Sequence, residues 1–206
     1  MFQQAISIYQ ECGDRFGEAK ARSFLGSALK TVDSLAAAVE ETGRALVLSR
    51  ELGYTSLEAH NWVYLGNILH RLGRLEQSLA SFQRSRALAR RTGLRSVELI
   101  DILNIGNVYL LQGSHDLALR YIEQGLQRSE ELSSRLARMY AIGSIAQVAF
   151  AMGDYERSGP AFRDAIRQSK NYSLVYHGAF LAAYGRLRSR QGATKEALAL
   201  LDELER

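Results

Sequence analysis

The sequence predicts an all-α protein, a right-handed superhelical solenoid of stacked helix-turn-helix repeats. Three observations carry that expectation. A pair made of a large and a small residue recurs as Leu25-Gly26, Leu65-Gly66, Ile105-Gly106 and Ile145-Ala146, 40 residues apart, and returns as Tyr184-Gly185 after 39. A second glycine series, Gly73, Gly113, Gly153 and Gly192, follows seven residues behind the first, with Asp33 standing in for glycine in the first unit. Small residues also recur twelve positions after the first series, as Ala38, Ser78, Ala118, Ser158 and Ala197. A fixed period of this length marks a repeat architecture, in which the place of a residue in the unit sets its meaning.

Taken in order, residues 2–14 read as the second helix of a truncated repeat, with Phe2 and Ala5 in the register that Phe162 and Ala165 occupy later. Five repeats follow, at about 15–53, 54–93, 94–132, 133–171 and 172–206, within a single domain spanning 1–206. Each begins with a helix that has the small residue at its centre. Seven residues, about two helical turns, lead to a turn where glycine adopts positive φ, and a second helix follows. The second helices carry one apolar stripe each, as in Leu75, Leu79 and Phe82, or Leu117, Ala118 and Ile122. The small residues twelve positions on specify close approach of the paired helices. Polar caps mark helix starts at Thr55, with Glu58 in capping-box spacing, and at Asp154 and Thr194. Pro160 falls inside a second helix, where the loss of one backbone donor is expected to bend or delay it. At the far end Leu198, Leu200, Leu201 and Leu204 run to the terminus without a polar capping helix, which solenoids normally need. The expectation is a chain cut from a longer protein, or one whose ends stack on another copy.

Composition narrows the function classes. With 47% apolar residues the chain can build a continuous core, and no apolar run approaches the roughly 18 residues of a membrane span. A cytoplasmic protein with no membrane partner is expected. The single cysteine, Cys12, is read as a small core residue. Lysine and arginine number 26 against 22 acidic residues, a net charge of +4, which is small for a nucleic-acid binder. The cluster Arg84, Arg86, Arg90, Arg91 and Arg95 keeps nucleic-acid or anionic-ligand binding as an alternative.

The stretch Trp62, Leu65, Gly66, Leu69, Ser78, Phe82 lies on the pattern W-x2-L-G-x2-Y, A-x3-F, with leucine for tyrosine and serine for alanine. On these residues the chain resembles the tetratricopeptide repeat family. The other repeats keep Leu/Ile-Gly and a small-x3-apolar pair, such as Ala118 with Ile122 and Ser158 with Phe162, while the consensus proline at the repeat end is missing. The 40-residue unit with Leu65-Gly66-Asn67 and Ile105-Gly106-Asn107 is similar to the subfamily of kinesin light chains and bacterial multidomain regulators. That resemblance implies a protein-interaction module without catalysis, in a bacterial protein where it senses or recruits partners for an attached effector.

In such a solenoid the first helices line the concave side, so residues just past the central small position project inward together. That column is Ser27, Asn67, Asn107, Gln147 and Arg186. Amide side chains offer a donor and an acceptor each, the chemistry needed to bind the backbone of an extended peptide. The resemblance implies the same role for the asparagines. Flanking positions grade from Lys20, Ser23 and Lys30 through His60, Val63 and His70 to Ile100, Leu103, Leu110, Tyr140 and Phe150, which suits an amphipathic or partly acidic segment. The candidate groove is therefore Ser27, Asn67, Asn107, Gln147 and Arg186 with Lys30, His60, His70, Leu103 and Tyr140. A second reading has the amides bonding neighbouring helices and the apolar members packing in the core. Ser23 and Val63 occupy the lysine positions of the family's chaperone-binding clamp, so a terminal-carboxylate partner is not expected. Histidines 60, 70, 115 and 177 form no ligand triad and no phosphate-cradling loop appears, so no metal, cofactor or catalytic residue is expected. Self-assembly through the repeat ends is a third reading.

Overall fold

The computed structural model describes residues 1–29 and 34–204, without the side chains of residues 201, 203 and 204. Among these residues there are eleven helices and no strand. They are α1 (Phe2–Glu11), α2 (Arg15–Leu29), α3 (Leu35–Glu51), α4 (Thr55–Arg71), α5 (Leu75–Thr92), α6 (Arg95–Leu111), α7 (His115–Glu131), α8 (Arg135–Ala151), α9 (Tyr155–Ser169), α10 (Leu174–Arg190) and α11 (Thr194–Leu204). They fall into two compact units, Met1–Val108 and Tyr109–Arg206. In the first unit each helix from α1 to α5 packs on the next and α2 also touches α4; in the second the same holds from α7 to α11, with α8 touching α10. Asp33 and Lys30 lie outside the described residues, as do the side chains of Leu201 and Leu204.

Most of the described turns between helices close the same way, the turn from α9 to α10 excepted. Gly13, Gly53, Gly73, Gly93, Gly113, Gly153 and Gly192 all have φ between 70° and 79°. At Gly53 the chain reverses out of α3 while the Tyr54 N–H donates to the Ser49 carbonyl at 2.9 Å, satisfying an orphan carbonyl of the helix end. The positive-φ series thus includes turns between repeats as well as the turns within repeats expected from the sequence. Ser133 holds the equivalent place after α7 with φ 51°, where a Cβ is strained.

The small residues at twelve-residue spacing are contact points. Ala38, Ser78, Ala118 and Ser158 are fully buried and Ala197 is 8% exposed. Ser78 Oγ donates to the Gly66 carbonyl and Ser158 Oγ to the Ala146 carbonyl, each at 2.8 Å. These bonds tie the second helix of a hairpin to the middle of the first. A Cβ on Gly66 would lie 2.6 Å from the Phe82 ring, so the pair admits no larger side chain without rearrangement. Phe82 itself is 1% exposed. In the second unit Phe162, Tyr184 and Leu187 form one apolar cluster, and Met139, Ala165 and Phe180 another.

Polar groups buried in the first unit are mostly matched. Arg22 bonds Glu18 at 2.9 Å and Glu41 at 2.6 Å, and Asn61 accepts from Ser23 Oγ at 2.6 Å. Thr42 Oγ1 is an exception, and Asp101 on α6 is the larger one, because it is fully buried and neither carboxylate oxygen has a hydrogen-bond partner among the described residues. Beside it the Ser85 hydroxyl donates to the Ala59 carbonyl instead. Burial pushes the Asp101 pKa up to about 8, against the pull of Ser85 and of the Arg86 charge and with a push from Glu98.

Several local expectations need correction. Thr55 does not cap α4: it is the first residue inside the helix, Tyr54 holds the cap position, and Glu58 is engaged by Arg50 and by the Trp62 indole N–H. Thr194 likewise starts α11 from inside. Asp154 does cap α9, accepting from the Arg157 N–H at 3.0 Å, and Ser134 and Ser173 cap α8 and α10 in the same way. α9 runs unbroken across Pro160, which sits exposed on its solvent side. Cys12 is not a core residue: it follows the last turn of α1 and is exposed.

Candidate functional site

The first helices of the hairpins, α2, α4, α6, α8 and α10, are buried on most of their circumference and leave one stripe open. On α4 the open positions are Ser56, His60, Tyr64, Asn67 and Arg71, spaced by three or four residues, while Asn61, Trp62, Val63, Gly66 and Leu69 are buried. This spacing is that of one helix face. The same face on α2 carries Phe16, Lys20, Phe24 and Ser27, and on α6 Ser96, Ile100, Asn104 and Asn107. In the second unit it carries Leu136, Tyr140 and Gln147 on α8, and Val175, Ala179 and Arg186 on α10.

In the first unit Ser27, Asn67 and Asn107 lie on this face, in the second Gln147 and Arg186 lie on the equivalent face of their own helices, and their bonding differs. Ser27, Asn67 and Gln147 are half-buried, and among the described residues their side chains make no hydrogen bond. Asn107 is half-buried too, but its Nδ2 donates to the Leu103 carbonyl of its own helix at 2.9 Å. Arg186 is exposed. Asn67 and Gln147 therefore present unspent donors and acceptors beside apolar neighbours, whereas Asn107 has spent part of its capacity on the scaffold.

The flanking positions divide. His60 is exposed, with Nδ1 2.7 Å from the Ser56 carbonyl. His70 is half-buried with an unpartnered Nε2, and burial lowers its pKa, so the ring is neutral near pH 7. Tyr140 packs against Tyr176 with ring centroids 5.2 Å apart, and burial pushes its phenol upward. Leu103 is only 2% exposed and offers no surface to a ligand. Ser23 and Val63 also point into the core, at 2% and 7% exposure. The expected gradient fails for this reason, since the open positions on α2 are filled by Phe16 and Phe24, 37% and 49% exposed.

Sequence reasoning missed Phe16, Phe24, Tyr64, Asn104 and Leu136. The 3.6-residue period was the available signal, counted outward from Asn67 in steps of three and four. Many of the large exposed apolar side chains fall on this stripe, among them Phe16, Phe24, Ile100, Leu136 and Val175. Apolar groups gathered on one helix face and interleaved with polar ones are the mark of a contact surface.

The arginine cluster of the alternative reading is largely engaged within the fold. Arg84 lies over the Trp62 ring at 4.7 Å, Arg90 is 3.6 Å from Glu98, and Arg86 is 3.9 Å from the same carboxylate. Among the described residues no three His, Cys, Asp or Glu side chains converge as metal ligands, and no helix is long and apolar enough to cross a membrane.

Paired helices closed by left-handed turns, with one open stripe on each first helix, define a helical-hairpin repeat protein. The tetratricopeptide repeat model matches residues 57–131 and 98–171, and the chain belongs to that family. Comparison with curated protein sequences finds no match. Among solved structures, BtubC (BKLC) from P. vanneervenii has a TM-score of 0.76 at 13% identity, covering 99% of this chain and 87% of that one. A putative kinesin light chain from Podospora anserina, with nearly identical TPR-like repeats, has a TM-score of 0.64 at 14% identity over 90% of this chain and 92% of its own. A Rap protein complexed with competence and sporulation factor has a TM-score of 0.77 at 15% identity, covering 99% of this chain and 56% of that chain.

Proposed function

We propose that the chain is a polypeptide-binding module whose ligand lies along the open stripe of the first helices within a unit. The reading treats residues 1–206 as one repeat domain, cytoplasmic and bacterial, within a regulatory or signalling protein. Asn67 and Gln147 carry it: two half-buried amides with no hydrogen bond among the described residues. Neither amide is buried away from water, so each holds its donors and acceptors ready for a ligand. A peptide main chain supplies the missing partners, one N–H and one C=O per residue. Ser27, His60, His70 and Asn107 accompany Asn67 in the first unit, Tyr140 and Arg186 accompany Gln147 in the second, and exposed apolar groups such as Phe24 and Ile100 would meet alternate side chains. The Rap protein's capture of competence and sporulation factor supports the reading by analogy of fold.

The test is a peptide library selected against the purified chain, followed by affinity measurement on the Asn67→Ala, Gln147→Ala double variant. The expected loss is about tenfold or more, since each amide gives up hydrogen bonds worth about 1 kcal/mol. Undiminished binding by the folded double variant rules the stripe out. Nucleic-acid binding through the arginine cluster is not favoured, because Arg84, Arg86 and Arg90 already face Trp62 and Glu98.

A further inference from the structure

In the second unit a cleft of about 440 Å³ opens between the start of α8 and the end of α9. Arg135 and Arg138 line it from α8, Arg167 and Asp164 from α9, and Tyr172 from the turn that follows. Its volume suits one or two side chains of a ligand. The repeat register shows what is unusual here. Earlier repeats have Glu18, Glu58 and Glu98 at the place of Arg138, paired with Arg22 at 2.9 Å, Arg50 at 3.1 Å and Arg90 at 3.6 Å. In the fourth repeat the charges are exchanged, and Arg138 stands 3.9 Å from Glu130. Arg167 is paired with Asp164 at 2.5 Å. Arg135 has no ion-pair or hydrogen-bond partner among the described residues.

Three guanidinium groups have two carboxylate partners, Asp164 in the cleft and Glu130 outside its lining, which leaves Arg135 without an ion-pair partner among the described residues. The first turn of α8 contains no acidic residue, so Arg135 and Arg138 oppose the positive end of the helix dipole. An anion bound at the cleft would offset that opposition. Tyr172, which lines the cleft, is 56% exposed, and Leu174 two residues on is 83% exposed, bulky apolar groups left in water.

We propose that this cleft docks an acidic polypeptide segment, one side-chain carboxylate held by Arg135 and Arg167 and an adjacent apolar side chain laid against Tyr172 and Leu174. The proposal rests on the polypeptide-binding reading and adds a second surface with its ligand chemistry. A single excess positive charge matches a carboxylate better than a phosphate, which carries closer to two negative charges near pH 7. The apolar run needs a ligand with side chains as well as charge.

The experiment is a 15N NMR titration of the full chain with the synthetic peptide acetyl-Gly-Asp-Leu-Leu-Asp-Gly-amide. Saturable shifts are expected at the cleft residues Arg135, Arg138, Arg167, Gln168 and Tyr172. Apparent affinity should fall about tenfold for the peptide with asparagine in place of aspartate, and equally for Arg135→Gln, Arg167→Gln. Both arginines are exposed, and the asparagine peptide leaves the protein untouched, so a folding defect cannot mimic the result. Absence of shifts at these residues, equal binding of the asparagine peptide, full affinity in the double variant, or tighter binding of inorganic phosphate than of the peptide would each overturn the assignment. Library peptides that lose affinity on Asn67→Ala, Gln147→Ala and leave the cleft resonances unmoved sink this proposal alone and spare the open stripe.

Discussion

Replacing Asp101 by Asn tests the interior of the first unit. Asp101 is fully buried, its carboxylate oxygens have no hydrogen-bond partner, and its pKa stands at about 8 against a reference of 3.8. The folded pKa is raised, so between those two values the folded chain binds the extra proton and stability falls as pH rises. At pH 7 the unfolded aspartate is ionised and the folded one still protonated. The difference is about three pH units, or about 4 kcal/mol at 1.36 kcal/mol per unit. Asparagine fills nearly the same volume and never ionises. Asp101→Asn should therefore leave stability unchanged near pH 4 and raise it by about 2 to 4 kcal/mol at pH 7, the gain levelling off above pH 8. Urea unfolding followed by circular dichroism at pH 4, 7 and 8.5 reads this directly. If wild type and variant keep parallel stability profiles across that range, the carboxyl does not titrate as a buried, unpartnered acid, and the reasoning is wrong.

Two glycines inside helices should respond in opposite directions to alanine. Gly43 has open space around its Cβ position, so Gly43→Ala should stabilise by about 1 kcal/mol through helix propensity. Gly66→Ala forces a methyl to 2.6 Å from the Phe82 ring and should destabilise by about 1 to 3 kcal/mol; thermal unfolding of the pair decides it. Ser133→Gly relieves a positive φ of 51° and should raise stability by about 0.5 to 1 kcal/mol in urea titrations. No change there would mean the serine side chain compensates the strain.

Much of the architecture was legible in the sequence because steric demands repeat with the unit. Small residues at twelve-residue spacing could be read from the chain alone, since any bulky group there separates two helices: Ser78 and Ser158 reach the carbonyls of Gly66 and Ala146 across that spacing. Glycines at the turns were equally legible, because positive φ excludes most other residues. The helix face bearing Asn67 and Gln147 followed from the period. Which members of that face stay open did not, because burial depends on what the neighbouring helix places opposite. Leu103 and Ser23 were expected on the open wall and are 2% exposed, whereas Phe16 and Phe24 are left in water.

The sequence by itself determined the hairpin, its period and its close-packed seams, since those are local or periodic constraints on side-chain size and backbone angle. Only the tertiary structure decided which polar groups are spent. Asn107 gives its amide to Leu103 while Asn67 keeps its own, Asp101 is buried without a partner, and Arg135 is left over when Arg138 and Arg167 find carboxylates. Pairing of that kind depends on which side chains come within hydrogen-bond or ion-pair reach once the helices have packed, and a repeat pattern sets the positions but not the partners.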